Sequence, residues 1–323
     1  LESRLGLRLF ERTGNRLMMS ILDALGHVIV ALDEEALVRT SDEALHLMFD
    51  EETFNRPRLL YAWGRSNADV WRSYKGYRGT PILETGNPRV DLLRPELRPF
   101  FDEDVVALRE RFGPYVMFSS NFALVNHFIA DHVRFRVAAG ASRERTAELK
   151  GGLRGHKQAI FDHFRTLIPA LAEAIAPTSL VIRPHPSENA GIWKDIAAMA
   201  ASALVHNGCT SAVEASVVGT PAFAYQPVVD ATFDSKFPNS VSTSFSEDAA
   251  LIAAVEEVLA HGRKRGLTPD QRAVLDHNIA SIEGDLACDR ILQSLTDRRD
   301  VLESRNLPSA GERMSGRVRH FLR

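Results

Sequence analysis

Short runs of β-branched and aromatic residues alternate along the chain with longer stretches of helical spacing, the pattern of parallel sheets with helices on their faces. Ser3–Leu25 reads as largely helical, with Gly6, Gly14 and Asn15 marking a break. HVIVAL (27–32) is a buried strand that runs into Asp33, Glu34 and Glu35. Helical spacing over Ser41–Phe49 leads to a second strand, RLLYAW (58–63), and a helix over Ser66–Tyr74. PILETGNPRVDLL (81–93) combines a short strand with a Gly-Asn-Pro turn, the chemistry of a strand end. Pro95, Pro99 and the acidic Asp102–Asp104 read as a linker, which puts a domain boundary near residue 100.

The rhythm then restarts. YVMFS (115–119) is a strand, and a long helical region over Arg143–Ala176 is expected to break at Gly151, Gly152, Gly155 and Pro169. Strand SLVIR (179–183) runs straight into Pro184, His185, Pro186, Ser187 and Glu188. A helix over Gly191–Ser202, strand Ala203–His206, a glycine turn, helix Ser211–Val218 and strand Ala222–Tyr225 complete a βαβαβ series. Ser246–His261 and Thr268–Ser281 read as the terminal helices, and Asp297–Arg323 as an arginine-rich tail, loose at its end. The reading is therefore α/β, with two Rossmann-like domains at 1–100 and 101–296 and a basic tail at 297–323.

Composition narrows this little but usefully. A chain of 323 residues can bury two such cores, and 45% hydrophobic with 25% charged residues is ordinary for a globular protein. A net charge of -3 provides no field for nucleic acid phosphates. Two cysteines, Cys209 and Cys288, build neither a disulfide framework nor a zinc site, which points to a reducing cytoplasm. No run is long enough to span a bilayer and residues 1–30 lack a signal-peptide pattern. Arg313, Arg317, Arg319 and Arg323 allow peripheral contact with a membrane surface.

In open α/β sheets ligands bind beyond the carboxyl ends of the strands, where helix amino termini offer N–H groups to phosphates. Two loops have that position. In RPHPSEN (183–189) two prolines stiffen the backbone around Arg183, His185 and Glu188. In Asn207-Gly208-Cys209-Thr210-Ser211, Gly208 permits a tight turn, and Thr210 or Ser211 can cap the next helix and donate to a phosphate. Glu214 lies one helical turn further on, placed to accept from ribose hydroxyls. Glu34 and Glu35, at a strand end, are candidates for an acid or base, with helix capping as their structural alternative. No metal is expected; His127, Asp131 and His132 lie close in sequence, but the reading is against them as a ligand set.

RPHPSEN with Trp193, followed by ALVHNGCTSAVEASVVGTPAFAY (203–225), resembles the donor half of the bacterial surface carbohydrate biosynthesis protein family, a GT-B-like group. GHVIVALDEEALV (26–38), YAWG (61–64), TGNPRVDLL (85–93), SSNFALVNHF (119–128) and IEGDLACDRI (282–291) are similar to family segments in the same order. The resemblance implies transfer of a sugar from a CMP- or UDP-linked donor, without cofactor, to a saccharide or lipid-linked acceptor. It implies donor contacts from Arg183, His185, Glu188, Asn207, Gly208, Thr210, Ser211 and Glu214, and it places Asn87, Arg89 and Asn121 at the interdomain cleft. His185 joins Glu34 and Glu35 among the catalytic candidates.

Two departures qualify the resemblance. Relatives carry a strand and helix ahead of the segment matched at Gly26, for which this chain has too little sequence. Between Trp193 and Ala203 there is also too little chain for a further βα unit. A catalytically impaired scaffold, a glycerophosphotransferase and a sugar-nucleotide epimerase on the same fold therefore stand as alternatives. LESRLGLRLFERTGNRL (1–17) also resembles the end of a LysR-type winged helix, but it lacks the helices that precede it in a working DNA-binding element.

Overall fold

A computed structural model describes residues 5–10, 16–33, 36, 41–46, 49–129, 143–189, 202–262 and 266–303, with positions 311 and 314. These fall into two compact units, one within Leu1–Leu37, Asp42–Asp91 and Asp276–Arg323, the other within Val38–Ser41 and Leu92–Leu275.

The first unit holds a parallel sheet of β1 (Leu5–Phe10), β2 (Val28–Asp33), β3 (Leu59–Ala62) and β4 (Ile82–Glu84), in that order. Strand β1 overturns the helical reading of 3–25. LGLRLF alternates with the two-residue period of a strand, and Leu5–Phe10 pairs in register with Val28–Asp33. The helix Arg16–Ala24 follows. A strand and a helix thus do precede Gly26. Strands β2 and β3 are buried throughout or nearly so, as expected where helices cover both faces of a parallel sheet. Ile29, Ala31, Leu60 and Ala62 pack with Met19, Phe54 and Trp71.

The segment from Asp276 onward belongs to this unit, whereas the sequence division leaves 276–296 in the second domain. Its attachments are specific. Ala280 N–H donates to the Trp63 carbonyl at 2.7 Å, and Tyr61 Oη lies 2.9 Å from Ser294 Oγ. The buried Asp91 carboxylate accepts from the N–H groups of Ala287 and Cys288, both at 2.9 Å, and so caps the helix Ala287–Asp297.

The second unit holds β5 (Tyr115–Ser119), β6 (Ser179–Arg183), β7 (Ala203–His206), β8 (Ala222–Tyr225) and β9 (Thr243–Phe245). The spatial order is β6-β5-β7-β8-β9, all parallel. Alternate residues of β5 serve opposite layers. Val116 and Phe118 join Phe164, Leu167 and Leu171 of the helix Arg143–Ala174, whereas Tyr115 and Met117 join Ala212, Ala215 and partly buried Val105 and Leu108.

Two further expectations change here. Asp102–Asp104 are not linker but the first turn of the helix Asp102–Phe112, where carboxylates favour the positive end of the helix dipole. The helix Arg143–Ala174 runs without the expected break, Pro169 included. Its buried stripe of Ile160, Phe164, Leu167 and Leu171 offsets the lost hydrogen bond. At Gly152 a Cβ would meet the Phe233 ring at 2.6 Å, so the glycine makes room for that ring. The expected helix over 191–202 lies outside the described residues, save Ser202.

Candidate functional site

The order of the second sheet reverses at β5. The chain leaves β5 for β6 on one side and returns to the other side for β7, a switch point at whose strand ends doubly wound sheets form a crevice that binds ligands. The candidate side chains collect there. Arg183, at the end of β6, donates from Nη1 to Ser211 Oγ at 2.9 Å. Ser119, at the end of β5, lies 3.1 Å from the same hydroxyl and 3.3 Å from Cys209 Sγ. Two strand ends and the first turn of the helix Ser211–Val218 are therefore joined through one serine.

The RPHPSEN loop is anchored by Glu188, which is buried. Its carboxylate accepts from Ser120 Oγ at 2.6 Å, Phe122 N–H at 2.7 Å, His185 N–H at 3.3 Å and Asn126 Nδ2 at 3.4 Å. Backbone bonds extend the link, Phe128 N–H to the Ser187 carbonyl at 3.1 Å and Asn189 N–H to the Asn126 carbonyl at 2.8 Å. With its oxygens so engaged, Glu188 fixes the two loops against each other. Asn207 is likewise buried, with Nδ2 on the Tyr225 carbonyl at 2.8 Å and Oδ1 accepting from Lys157 Nζ at 3.3 Å. Gly208 takes φ +63°, and a Cβ on it would sit 2.9 Å from Ser235 Cβ. The turn thus requires glycine twice over.

Other groups point outward. His185 is exposed, and its Nδ1 accepts from Ser187 N–H at 3.1 Å, so in the neutral ring Nε2 carries the hydrogen and can donate. His127 is arranged in the same way, its Nδ1 accepting from Ile129 N–H at 3.0 Å and its ring stacked on Phe128. Thr210, the N-cap, makes no side-chain capping bond, contrary to the expected cap. Glu214 is half-buried in the first turn of that helix.

Beneath the crevice His206 is fully buried, and burial, together with the positive Lys157, pushes its pKa down to about 3. Its Nε2 lies 2.8 Å from Ser242 Oγ, whose hydroxyl donates to the Pro238 carbonyl at 2.9 Å. That chain makes Nε2–H the donor and leaves Nδ1 facing Cys209 N–H.

The remaining expected residues are not brought to this crevice by any described contact, or lie outside the description. Asn87 and Arg89 belong to the first unit. Asn87 is buried and accepts from Arg89 N–H at 2.8 Å, while Arg89 is exposed. Asn121 is half-buried just beyond β5. Glu34, Glu35, Asp131, His132, Trp193 and the arginines of the tail from 313 lie outside the described residues. Among the described residues no group of His, Cys, Asp and Glu is placed to hold a metal ion, and no helix is long and apolar enough to cross a membrane. A groove of about 920 Å³ in the first unit carries five carboxylates, Glu84 and Asp285 among them, against only Arg290 and Arg298. That charge balance disfavours a phosphorylated ligand.

Ser119, Ser120 and Lys157 were not marked by the sequence reading. Lys157 had a signal, since it stands three residues before Ile160, in line with the apolar stripe of its helix.

Solved structures similar to this one include the wall teichoic acid polymerase TagF. TagF matches with a TM-score of 0.52 at 10% identity, over 87% of this chain and 70% of that one. A variant of TagF soaked with CDPG matches with a TM-score of 0.50 at 11% identity, over 86% and 69%. The chain has a GT-B-type fold. The Methanocaldococcus jannaschii UDP-GlcNAc 2-epimerase, in complex with UDP-GlcNAc and UDP, gives a TM-score of 0.46 at 14% identity, over 86% and 72%. No protein-family model and no curated protein matches the sequence.

Proposed function

We propose that the protein is a glycosyltransferase of surface polysaccharide biosynthesis, which seats the phosphates of a nucleotide-sugar donor in the crevice between β5 and β7. The observation that carries this reading is the junction of Arg183, Ser119 and Ser211 at the amino terminus of the helix Ser211–Val218. There a guanidinium, hydroxyls and the backbone N–H groups of the first helical turn converge on one point, a combination suited to phosphate oxygens. The outward Nε2–H of His185 adds a donor for charge developing on the leaving group. In this reading Glu188, Asn207 and Gly208 shape the loops, Thr210 and Glu214 face the nucleotide, and Asn87, Arg89 and Asn121 serve the acceptor. Glu34 or Glu35 supplies the acid or base, the donor is CMP- or UDP-linked, and the acceptor is a saccharide or a lipid-linked saccharide.

A second reading, glycerophosphotransfer, is favoured by the likeness to TagF, which has been soaked with CDPG. It uses the same phosphate seat. Calorimetric titration with UDP-, CMP-, CDP- and GDP-linked compounds, followed by product analysis with radiolabelled donors, tests both. Transfer of a sugar supports the first reading and transfer of glycerol phosphate the second. An epimerised nucleotide, or binding with no transfer to any acceptor, counts against both. Folded protein that binds none of these compounds removes the phosphate seat itself.

A further inference from the structure

Lys157 reaches the end of β7 from the helix Arg143–Ala174, and among the described residues its surroundings do not balance its charge. An ammonium has three hydrogens to donate. Among the described residues the acceptor it is given is neutral, Asn207 Oδ1 at 3.3 Å. The carboxylate that acts on it electrostatically, Asp234, is engaged elsewhere. Its Oδ1 lies 2.7 Å from His156 Nε2, and its Oδ2 accepts from Asp230 N–H at 2.8 Å. The other titratable groups that face Lys157 are the Cys209 thiol, which interacts with it electrostatically, and His206, which is buried and neutral. Burial lowers the pKa of Lys157, and Asp234 and Cys209 only partly oppose that.

Cys209 also connects the lysine to the crevice, with Sγ 3.3 Å from Ser119 Oγ and 3.5 Å from Ser211 Oγ. Lys157 is half-buried, and a cation partly withdrawn from water with so little compensation among the described residues is costly unless an anion joins it. We propose that Lys157 is an anion-binding residue of this crevice, its ammonium supplying, with Arg183, the positive charge that meets the phosphates of the donor. The inference rests on the phosphate seat of the proposed function, and not on which group is transferred. An arriving anion stabilises the charged lysine, so binding takes a proton from solvent whenever the free protein holds part of Lys157 as the neutral amine. Affinity then falls as pH rises toward the pKa of the bound state.

The test is calorimetric titration of the full chain with UDP-glucose, and separately with sulfate, a dianion whose charge does not change over the alkaline range used. Buffers of different ionisation enthalpy report protons exchanged. Wild type is expected to take up protons at the alkaline end. Lys157→Met is expected to abolish the uptake and weaken both anions roughly 10- to 100-fold, the loss of a hydrogen bond to a charged group. Lys157→Arg keeps a cation at this position and should bind with no uptake. Circular dichroism of each variant confirms folding, which removal of a withdrawn charge should not impair.

Equal affinity of wild type and Lys157→Met for both anions overturns the proposal. So does anion binding by wild type without proton uptake anywhere in that range. Sulfate binding that depends on Lys157 without any nucleotide-sugar binding sustains the proposal and sinks the transferase reading. UDP-glucose binding indifferent to Lys157 does the reverse. Failure of wild type to bind either anion removes both.

Discussion

In the first unit the strands lie side by side in chain order, β1 to β4, so the described sheet has no switch point. In the second, the chain leaves β5 for β6 on one side and returns past it for β7 on the other, so β5 marks a switch point. The polar residues at the strand ends differ accordingly. Those of the second unit bond to one another across loops, as Arg183 and Ser119 do to Ser211, and Ser120 to Glu188. Two buried asparagines of the first serve their own turns. Asn67 accepts from Trp63 N–H and Asn87 from Arg89 N–H, while the buried amide nitrogen of each has no hydrogen-bond partner among the described residues. The same layered architecture thus carries a cross-linked, preorganised edge in one unit and locally capped turns in the other. Topology decides which edge is suited to a ligand.

The contrast can be broken most severely with acid. His206 is held neutral with a pKa of about 3 against an ordinary 6.5, so it contributes stability fully above pH 6.5 that is lost as pH falls toward 3. Across that window its contribution to the slope approaches one proton, or about 1.4 kcal/mol per pH unit. Urea unfolding at stepped pH should show this slope, and His206→Gln should lack it. Next in size is Glu188→Ala, which strands four donors and should cost about 3 kcal/mol in urea unfolding. Asn87→Ala in the first unit loses one local cap and should cost about 1 kcal/mol. Equal costs would erase the distinction between the two edges. Gly208→Ala, forced to a positive φ against Ser235, should cost about 2 kcal/mol by the same measurement.

Asp91→Ala should cost about 1 kcal/mol through the helix that begins at Ala287, with loss of amide exchange protection at Ala287 and Cys288. Ser211→Ala should change stability least, about 0.5 kcal/mol or less, yet weaken nucleotide-sugar binding several-fold by calorimetry. A large stability loss there with unchanged binding would make the serine a purely structural joint.

What could be read from sequence follows from how far each cause lies along the chain. Strands β5 to β8 were placed at their observed bounds because unbroken apolar runs such as YVMFS and ALVH are self-evident buried strands. The two polar loops followed from them, since a loop after a parallel strand has its place fixed by the strand. Strand β1 escaped because its two-residue alternation is short, and its pairing with β2 lies beyond the reach of a local pattern. The helix Asp102–Phe112 escaped because nearby prolines and an acidic cluster mimic a linker. The return of 276–303 to the first unit depends on Asp91, separated by 196 positions from the N–H group it caps. Glu188 carried the right position and a different chemistry. Its carboxylate type suggested ligand contact, whereas burial against Ser120 and Phe122 assigns it to holding loops.

The seating of phosphates between β5 and β7 is tested most directly by a crystal structure of the protein with UDP-glucose or CDP-glycerol bound. The account expects phosphate oxygens within hydrogen-bond distance of Arg183 and of the first backbone N–H groups of the helix Ser211–Val218. A nucleotide found with its phosphates anywhere else, with Arg183 still bonded to Ser211 beside an unfilled crevice, would contradict it.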